Sequence, residues 1–300
     1  MNFLLIAACL LAGFFLRATK ILADDAHKGI NAWILYVAFP AVALHYIPAI
    51  QWNFELLLPL TMPLIVWFGA WIFLKIFSTP FYIDTKTFGA LLLSAGLGNT
   101  SFVGFPLTQA YFGNEGLRIA VICDQLTFIV LSTFGIIAAM HSAHAGNTNL
   151  KKIFFGLIKF PPFVSFIAAL TIPHIISLSP IDSLLEKLSA TLVPLALFSV
   201  GMQIQLSEWK NEKKFLFLGL GYKLFIAPLI ILGIVLPAGM RGIVPQTSVF
   251  EAAMAPSITA AIVSGQYNLN PKLSNLMVSV GILLGFATTA VWWFVLQLIG

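Results

Sequence analysis

The sequence predicts an all-α membrane protein of ten transmembrane helices, arranged as a 5+5 inverted repeat in which helices four and nine are broken and cross. Hydrophobic residues make up 59% of the 300-residue chain and charged residues only 9%, whereas a soluble domain has roughly 25% charged residues. The apolar residues form ten long runs, and two of these runs are interrupted by polar residues and proline. Together these features predict a polytopic membrane protein with a polar site at membrane depth.

Ten apolar segments approach the length of about 20 residues that a helix needs to cross a bilayer. The first segment lacks the positively charged start and the small-residue cleavage site of a signal peptide, so we interpret it as a span. The predicted spans cover residues 1–17, 30–49, 55–76, 88–111, 117–140, 152–174, 184–204, 214–236, 244–265 and 274–298.

Lysine and arginine are distributed unequally between the two sets of loops that alternate along the chain. Eleven lie in one set, and only Arg118, Lys187 and Arg241 lie in the other. Because cytoplasmic loops carry the excess of positive residues, both termini are predicted outside and the loop 141–151 in the cytoplasm. The expected location is the plasma membrane, which in a bacterium is the inner membrane. The net charge of +5 follows from this topology, so no nucleic-acid partner is expected.

One offset relates two pairs of segments in the two halves of the chain. Pro40 in the second span and Pro194 in the seventh are 154 residues apart, and the same shift carries residues 99–101 onto 253–255, directly before Pro256. Five spans is an odd number, so the second half enters the membrane from the opposite side. The sequence therefore predicts a first repeat at 1–150 and an inverted second repeat at 151–300, which together form one transport domain.

The fourth predicted span is interrupted at residues 96–107, which read Gly-Leu-Gly-Asn-Thr-Ser-Phe-Val-Gly-Phe-Pro-Leu. Non-helical backbone at membrane depth is tolerated only where it is buried in protein or lines a polar cavity. Where a helix is broken, the second half offers free N–H groups and a positive dipole end, which suit a carboxylate. We therefore expect Asn99, Thr100 and Ser101 to bind substrate. The alternative is that these residues only cap a kink.

The ninth predicted span has a matching interruption at Pro256, Ser257 and Thr259. Proline has no N–H group and so frees the carbonyl four residues earlier, which is that of Ala252. Paired interruptions in corresponding halves indicate the substrate site of a transporter. The two hydroxyl groups are expected either to line this site or to satisfy the freed backbone groups.

Four further polar residues lie inside predicted spans and are candidates for ion coupling, with a proton or sodium as the coupling ion. Asp124 and Gln125 are adjacent in the fifth span, Lys223 lies in the eighth and Glu251 in the ninth. Ionisable groups in the membrane are costly and usually functional. A structural hydrogen bond from Asp124 to the broken fourth helix, or a structural pair between Lys223 and Glu251, is the alternative.

Enzyme and cofactor signatures are absent from the sequence. It contains no His-Glu-x-x-His, P-loop, Cys-x-x-Cys or Gly-x-Ser-x-Gly pattern, and its two cysteines have no metal-ligand spacing. We therefore predict that the protein is not an enzyme and has neither a cofactor nor a metal. The expected partners are a small organic acid and the lipid bilayer, and a homodimer is left open.

Residues 98–107 resemble the auxin efflux carrier family of bacterial permeases and plant auxin exporters, where a Gly-Asn-Thr-x-x-x-Gly-x-Pro stretch occupies the fourth span. The resemblance implies ten spans, inverted repeats, crossed helices four and nine, and export of organic acid anions such as auxin and malonate-like dicarboxylates. Asn99 and Pro106 match the fourth-span motif, and Pro256 matches the ninth-span proline. The similarity continues in order through residues 111–116, 124–125, 194–197, 201–202 and 253–257.

The chain departs from the family pattern at two places. The ninth span reads Ala-Met-Ala-Pro rather than the commoner Ala-Met-Pro, which moves Pro256 relative to the crossing. The central loop 141–151 is short, so the regulatory phosphorylation of the long loop in large plant carriers is not expected.

The leading functional hypothesis is a secondary active or potential-driven transporter that exports a small carboxylate by alternating access at the crossing of helices four and nine. The first alternative is a sodium- or proton-coupled carboxylate importer of the same fold. The second alternative, from a different class, is a membrane receptor or regulator that transports nothing. Measured solute flux distinguishes the transporters from the receptor, and the effect of an ion gradient distinguishes exporter from importer.

Overall fold

The computed structural model describes residues 2–50, 53–144, 158–204 and 212–299. Within these residues the secondary structure is helical apart from one isolated β-bridge. The α-helices of the first half are α1 (Asn2–Ala18), α2 (His27–Trp33), α3 (Phe39–Tyr46), α4 (Leu57–Ser78), α5 (Thr85–Gly96), α6 (Phe105–Val130) and α7 (Ile136–Ser142). Those of the second half are α8 (Pro161–Thr171), α9 (Asp182–Ser189), α10 (Leu192–Gln203), α11 (Lys213–Gly221), α12 (Ala227–Val235), α13 (Ile243–Ala252), α14 (Ile258–Gln266) and α15 (Pro271–Ile299).

Short π-helical and 3₁₀ turns join several of these helices into longer continuous rods. The π-helical turns are Ile34–Ala38, Thr100–Gly104, Leu131–Gly135 and Tyr222–Ile226, and the 3₁₀ turns are Ile47–Ala49, Phe54–Leu56, Ile172–His174 and Ser179–Ile181. π-Helical turns are rare and occur often at functional sites. Two of the four, Thr100–Gly104 and Tyr222–Ile226, contain residues of the site described below.

Six helical segments in the described residues are long and apolar enough to cross a membrane, and the shorter apolar segment Leu4–Ala18 precedes them. The six are His27–Ala49, Phe54–Ser78, Thr100–Ser142, Ser179–Gln203, Lys213–Val235 and Pro271–Ile299. This confirms an α-helical membrane protein. The ten-span inverted repeat stays a prediction, although each predicted span contains a helix. The first part of the predicted span 152–174, up to residue 157, lies outside the described residues, as does most of the loop 141–151.

The structure has six span-length helical segments where the sequence predicts ten spans, and the interruptions account for much of this difference. The segment Thr100–Ser142 runs for 43 residues and changes direction at Gly113, whose φ of 67° and ψ of −161° are non-helical. A positive φ combined with a ψ near 180° is open essentially to glycine alone, so this residue separates the ends of the predicted fourth and fifth spans. The predicted ninth span is divided into α13 and α14, of 10 and 9 residues, neither of which is long enough alone.

Helices α1 and α10 approach each other at two glycines. Arg17 Nη1 donates to the Met202 carbonyl at 2.7 Å, so the C-terminal ends of the two helices lie together and the helices are parallel. A Cβ atom added at Gly13 would lie 2.1 Å from the Phe198 carbonyl oxygen, and one added at Gly201 would lie 2.1 Å from the Leu10 carbonyl oxygen. Small residues permit such close backbone contact between membrane helices.

The interrupted segments are held between two buried apolar clusters. The larger cluster includes Leu97 from the fourth predicted span together with Ala253 and Met254 from the ninth. The second cluster includes Phe105, at the start of α6, and Phe39. Leu97, before the break between α5 and α6, thus packs in the larger cluster, and Phe105, after it, packs in the second cluster. This packing holds the non-helical residues in the protein interior.

Candidate functional site

The two interruptions meet as an antiparallel bridge between Gly98 and Pro256. The Asn99 N–H donates to the Ala255 carbonyl at 2.7 Å, and the Ser257 N–H donates to the Leu97 carbonyl at 3.0 Å. Hydrocarbon offers no partner for backbone that leaves the helical ladder. Each interruption therefore supplies backbone partners for the other. The predicted breaks in helices four and nine are present, and they are in contact.

Asn99 begins the second half of the fourth span as an N-cap. Its φ of −85° and ψ of 65° are non-helical, and its Oδ1 accepts a hydrogen bond from the Phe102 N–H at 3.1 Å. Its carbonyl accepts from the Gly104 N–H at 2.9 Å. The side chain is only 4% exposed, and its Nδ2 has no hydrogen-bond partner among the described residues. The Asn99 side chain thus caps the helical segment with its oxygen and keeps its buried Nδ2 donor available for a ligand.

Ser257 plays the corresponding part at the second break. Its extended backbone, with φ of −69° and ψ of 130°, precedes α14, and its Oγ accepts from the Ala260 N–H at 3.4 Å. Serine and asparagine are preferred N-caps because their side-chain oxygens satisfy N–H groups of the first turn. Two helical segments therefore begin at the crossing, and both direct the positive end of a helix dipole toward it.

The carbonyl that Pro256 frees is satisfied by a lysine rather than by a hydroxyl group. Lys223 Nζ donates to the Ala252 carbonyl at 2.9 Å, and the lysine is 1% exposed. The sequence leaves open whether the hydroxyl groups of Ser257 and Thr259 line the site or satisfy the freed backbone groups. Neither hydroxyl group satisfies the Ala252 carbonyl, because Lys223 does. Lys223 belongs to the π-helical turn Tyr222–Ile226, which packs beside the crossing.

A small pocket, with about 50 Å³ of space for the centres of water molecules, lies on one side of the crossing. Its polar lining comes from both breaks and from α6, and its apolar lining includes Phe102, Phe128 and Phe160. Phe128 and Phe160 are stacked with their ring centroids 3.6 Å apart. The polar side chains that line the pocket are Thr100, Ser101, Asp124, Thr127, Ser257 and Thr259. Five of these six are candidates from the sequence, and the structure brings them together.

Among the described residues that line this pocket, Asp124 is the charged one. Its Oδ1 accepts a hydrogen bond of 2.6 Å from Thr100 Oγ1, which joins α6 to the π-helical turn after the first break. A hydrogen bond to the broken fourth helix was the structural alternative for Asp124, and the structure has it. Because Asp124 also faces the pocket, the bond places its carboxyl group where a solute would meet it.

Glu251, near the end of α13, is fully buried and does not line the pocket. Its Oε1 accepts from Thr108 Oγ1 at 2.6 Å, whereas its Oε2 has no partner among the described residues. A Cβ atom added at Gly104 would lie 2.6 Å from Oε2, so only glycine leaves room for this carboxyl group. Glu251 does not share a hydrogen bond with Lys223, so the direct pair considered from the sequence is not formed in this conformation.

The remaining candidates flank the pocket without lining it. Pro106 lies two residues after the π-helical turn Thr100–Gly104, at the start of α6. Gln125 is buried next to Asp124, and its Oε1 has no partner in the described part of the chain. Four more candidates lie at or beside the two breaks without lining the pocket, namely Asn99, Pro256, Lys223 and Glu251.

Sequence reasoning missed four residues of the site, namely Gly98, Gly104, Thr108 and Thr127. Thr127 also donates to the Cys123 carbonyl one turn earlier, the usual local bond of a threonine in a membrane helix. Threonines in apolar helices commonly make this bond, so nothing local distinguishes Thr108, whose partner is 143 residues away. Within the described residues, no group of three or more His, Cys, Asp and Glu side chains is placed to hold a metal ion.

Comparison with known proteins gives concordant matches. The family model described as membrane transport protein matches residues 2–293. An uncharacterized transporter of Methanothermobacter thermautotrophicus is 27% identical, over 69% of this chain and 67% of the relative. An uncharacterized transporter of Methanocaldococcus jannaschii is 23% identical, over 98% of this chain and 97% of the relative. Both relatives are thus described as transporters, and the second aligns along nearly its whole length.

Proposed function

We propose that this chain, which belongs to the membrane transport protein family, is a secondary transporter that binds a small organic carboxylate where its two interrupted segments cross. Membership in this family, the family of the auxin efflux carriers, indicates a membrane transporter rather than an enzyme. The carboxylate, the outward direction and the role of the crossing are our proposal. We also propose that residues 1–150 and 151–300 are inverted repeats that form one transport domain.

The observation that carries the proposal is the convergence of two helix N-termini and several hydroxyl groups on one pocket. The first N–H groups of a helix have no partner within that helix, and its positive dipole end attracts an anion. Broken helices of transporters direct such ends at the carboxylate of a substrate. Thr100, Ser101, Ser257 and Thr259 would supply the side-chain hydrogen bonds.

The position of the pocket favours loading from the cytoplasm. Phe160 and Pro162 line it at the start of α8, in the predicted span that follows the loop 141–151, which the charge distribution predicts to be cytoplasmic. A carboxylate from the cytoplasm would enter past the stacked rings of Phe128 and Phe160. The negative potential inside a cell would then drive the anion outward, since about 2.3 kcal/mol is available per charge and 100 mV.

Asp124 supports a second candidate, the ion-coupled importer. An ionised Asp124 would repel a carboxylate in the same pocket, so anion binding requires either a proton on Asp124 or a cation beside it. Uptake of that ion together with the substrate would couple inward transport to a proton or sodium gradient. Counterflow of labelled carboxylates in liposomes, with and without each gradient, separates this candidate from the exporter.

The proposal is tested by replacing Asn99 with alanine and measuring flux in proteoliposomes. The variant loses the cap on Phe102 and the buried Nδ2 donor, so we expect saturable carboxylate flux to be abolished. The cap itself contributes only about 1 kcal/mol to stability, so the variant should remain folded. Asn53→Ala is the matched control, because Asn53 caps a surface turn through an equivalent bond of 3.0 Å to the Glu55 N–H.

The two variants together decide the assignment. Asn53→Ala should transport like the wild type while losing a similar amount of stability. Normal flux through Asn99→Ala would overturn the role of the crossing. A wild-type protein that binds carboxylates but shows no flux of any carboxylate, in either direction, would support the receptor instead.

A further inference from the structure

Lys223 is buried against the back of the crossing and is held there by the break itself. Its Nζ donates to the Ala252 carbonyl at 2.9 Å, which is the carbonyl that Pro256 leaves without its helical partner. The lysine is 1% exposed, so its terminal nitrogen is removed from water. An ionisable side chain buried inside a membrane-spanning segment is a candidate functional residue. It can act on a solute only if it lies beside the cavity that holds the solute.

Gly98 relates Lys223 to the pocket. A Cβ atom added at Gly98 would lie 3.2 Å from Lys223 Nζ and 3.4 Å from its Cε, so the lysine tip packs against the glycine backbone. Gly98 also lines the pocket. The glycine backbone is therefore in contact with the lysine tip and with the space proposed for the substrate. A Cβ atom at position 98 would press on the lysine tip, which would have to shift by a few tenths of an ångström.

The charges around the crossing determine how the position of Lys223 would affect an anion in the pocket. Among the described residues, the pocket lining contains Asp124 and no lysine or arginine. Glu251 of α13 and the buried thiol of Cys123 on α6 accompany Lys223 away from the pocket, whereas Asp124 of α6 lines the pocket. The other helices packed on α13 have their titratable residues at their ends, Lys75 in the last turn of α4 and Lys272 in the first turn of α15. A carboxylate in the pocket would thus have Lys223 as its cation across the crossing.

We propose that Lys223 determines the anion selectivity of the pocket, acting on the substrate carboxylate across the backbone of Gly98. This inference rests on the proposed function and names the residue that recognises the charge of the substrate. Lys223 is a positioning residue for the Ala252 carbonyl and, through its charge, a selectivity residue for the pocket. Two opposite unit charges about 10 Å apart, at an effective dielectric constant of about 20, change a binding constant roughly ten-fold.

The test compares two substitutions that separate the charge of Lys223 from its hydrogen bond. Lys223→Gln removes the charge and keeps an N–H donor, whereas Lys223→Met removes both. The probes are malonate and indole-3-acetate, each compared with its neutral amide, in counterflow and thermal-shift assays at one fixed pH. Lys214→Gln is the matched control, because Lys214 donates to the Phe81 carbonyl at 3.1 Å at the exposed surface.

We expect Lys223→Gln to raise KM for the carboxylate roughly ten-fold or more, with KM for the amide unchanged and with little loss of thermal stability. Lys223→Met should show the same loss of selectivity and, in addition, a lower Tm. Lys214→Gln should leave selectivity at the wild-type value. If neither lysine variant folds, Gly98→Ala decides, because its Cβ, 3.2 Å from Nζ, would press the lysine tip away from the pocket and should raise KM for the carboxylate more than for the amide.

The outcomes distinguish this inference from the proposed function. Wild-type carboxylate transport with unchanged selectivity in Lys223→Gln, or in Gly98→Ala where that variant decides, would overturn the inference and leave the proposed function standing. Absence of saturable flux of malonate, indole-3-acetate or any other carboxylate by the wild type would instead refute the proposed function.

Discussion

The contact between α1 and α10 allows a sharp test, because each helix presents a glycine to the backbone of the other. A Cβ atom at Gly201 would lie 2.1 Å from the Leu10 carbonyl oxygen. Ordinary van der Waals contact begins near 3.4 Å, so Gly201→Ala requires local separation by 3.4 − 2.1 = 1.3 Å. Such a shift would separate the two helices along their line of closest approach.

The expected loss of stability follows from this displacement. Overpacking of a tight interface costs about 1–3 kcal/mol, and each lost Cα–H···O contact adds roughly 0.5–1 kcal/mol. The better helix propensity of alanine returns roughly 1 kcal/mol. We therefore expect a net destabilisation of about 1–3 kcal/mol for Gly201→Ala and a similar value for Gly13→Ala.

Gly233→Ala is the matched control, because Gly233 lies in α12 and a Cβ atom there would meet nothing within 4 Å. This control should gain up to about 1 kcal/mol from helix propensity alone. Thermal unfolding in detergent, followed by tryptophan fluorescence, gives the comparison. The double variant Gly13→Ala/Gly201→Ala should lose less than the sum of the two single losses, because one separation accommodates both side chains. A Gly201→Ala protein as stable as Gly233→Ala would refute the close contact.

The two remaining predictions concern a pocket hydrogen bond and a helix cap. Thr100→Val removes the hydroxyl group proposed to bind the substrate carboxylate, together with its 2.6 Å bond to Asp124, without changing the side-chain shape. It should lower carboxylate transport about ten-fold or more, since a hydrogen bond to a charged group contributes about 1.5–3 kcal/mol; wild-type kinetics in the flux assay would contradict this. Asp84→Ala should cost about 1 kcal/mol of stability, because Asp84 caps α5 through bonds of 3.0 Å to the N–H groups of Lys86 and Thr87. Burial alone would raise the Asp84 pKa, but hydrogen bonds from the Thr87 side chain and from the Thr87 and Lys86 N–H groups lower it overall. The capping contribution is therefore present above the pKa of the unfolded chain and is lost as pH falls through the lowered pKa. Asp84→Asn should retain the cap and lose this pH dependence in thermal unfolding.

The positions of the breaks could be predicted because their signals are local. The non-helical residues 97–99 and 253–257 fall within the stretches marked by glycine, proline and clustered polar residues. The resemblance to the auxin efflux carriers, carried by the same residues, is confirmed by the family match. Asn99 and Ser257 are also N-caps of the kind that their residue types favour. A residue type and its immediate neighbours suffice for these predictions.

The partners of the buried polar groups could not be predicted, because they depend on packing between distant segments. Proline at 256 identifies the Ala252 carbonyl as unsatisfied, but only the fold brings Lys223 to it. Glu251 and Lys223 invite pairing by charge, yet Glu251 bonds Thr108 and rests against Gly104. Gly13 and Gly201 likewise have no sequence relation that predicts their contact. Each of these contacts is set by tertiary geometry.

The bonding of the crossing constrains how the proposed transporter could move. The Gly98–Pro256 bridge is closed by two backbone hydrogen bonds, and the Lys223 ammonium adds a third bond at the Ala252 carbonyl. Leaving a buried polar group unsatisfied costs about 1–3 kcal/mol, so separating the two breaks in the membrane interior would raise the barrier by several such amounts. Motion that keeps these bonds avoids that cost. We therefore expect both breaks and the turn around Lys223 to move as one body against the other helices, so that the lysine stays beside the pocket in every state of the transport cycle.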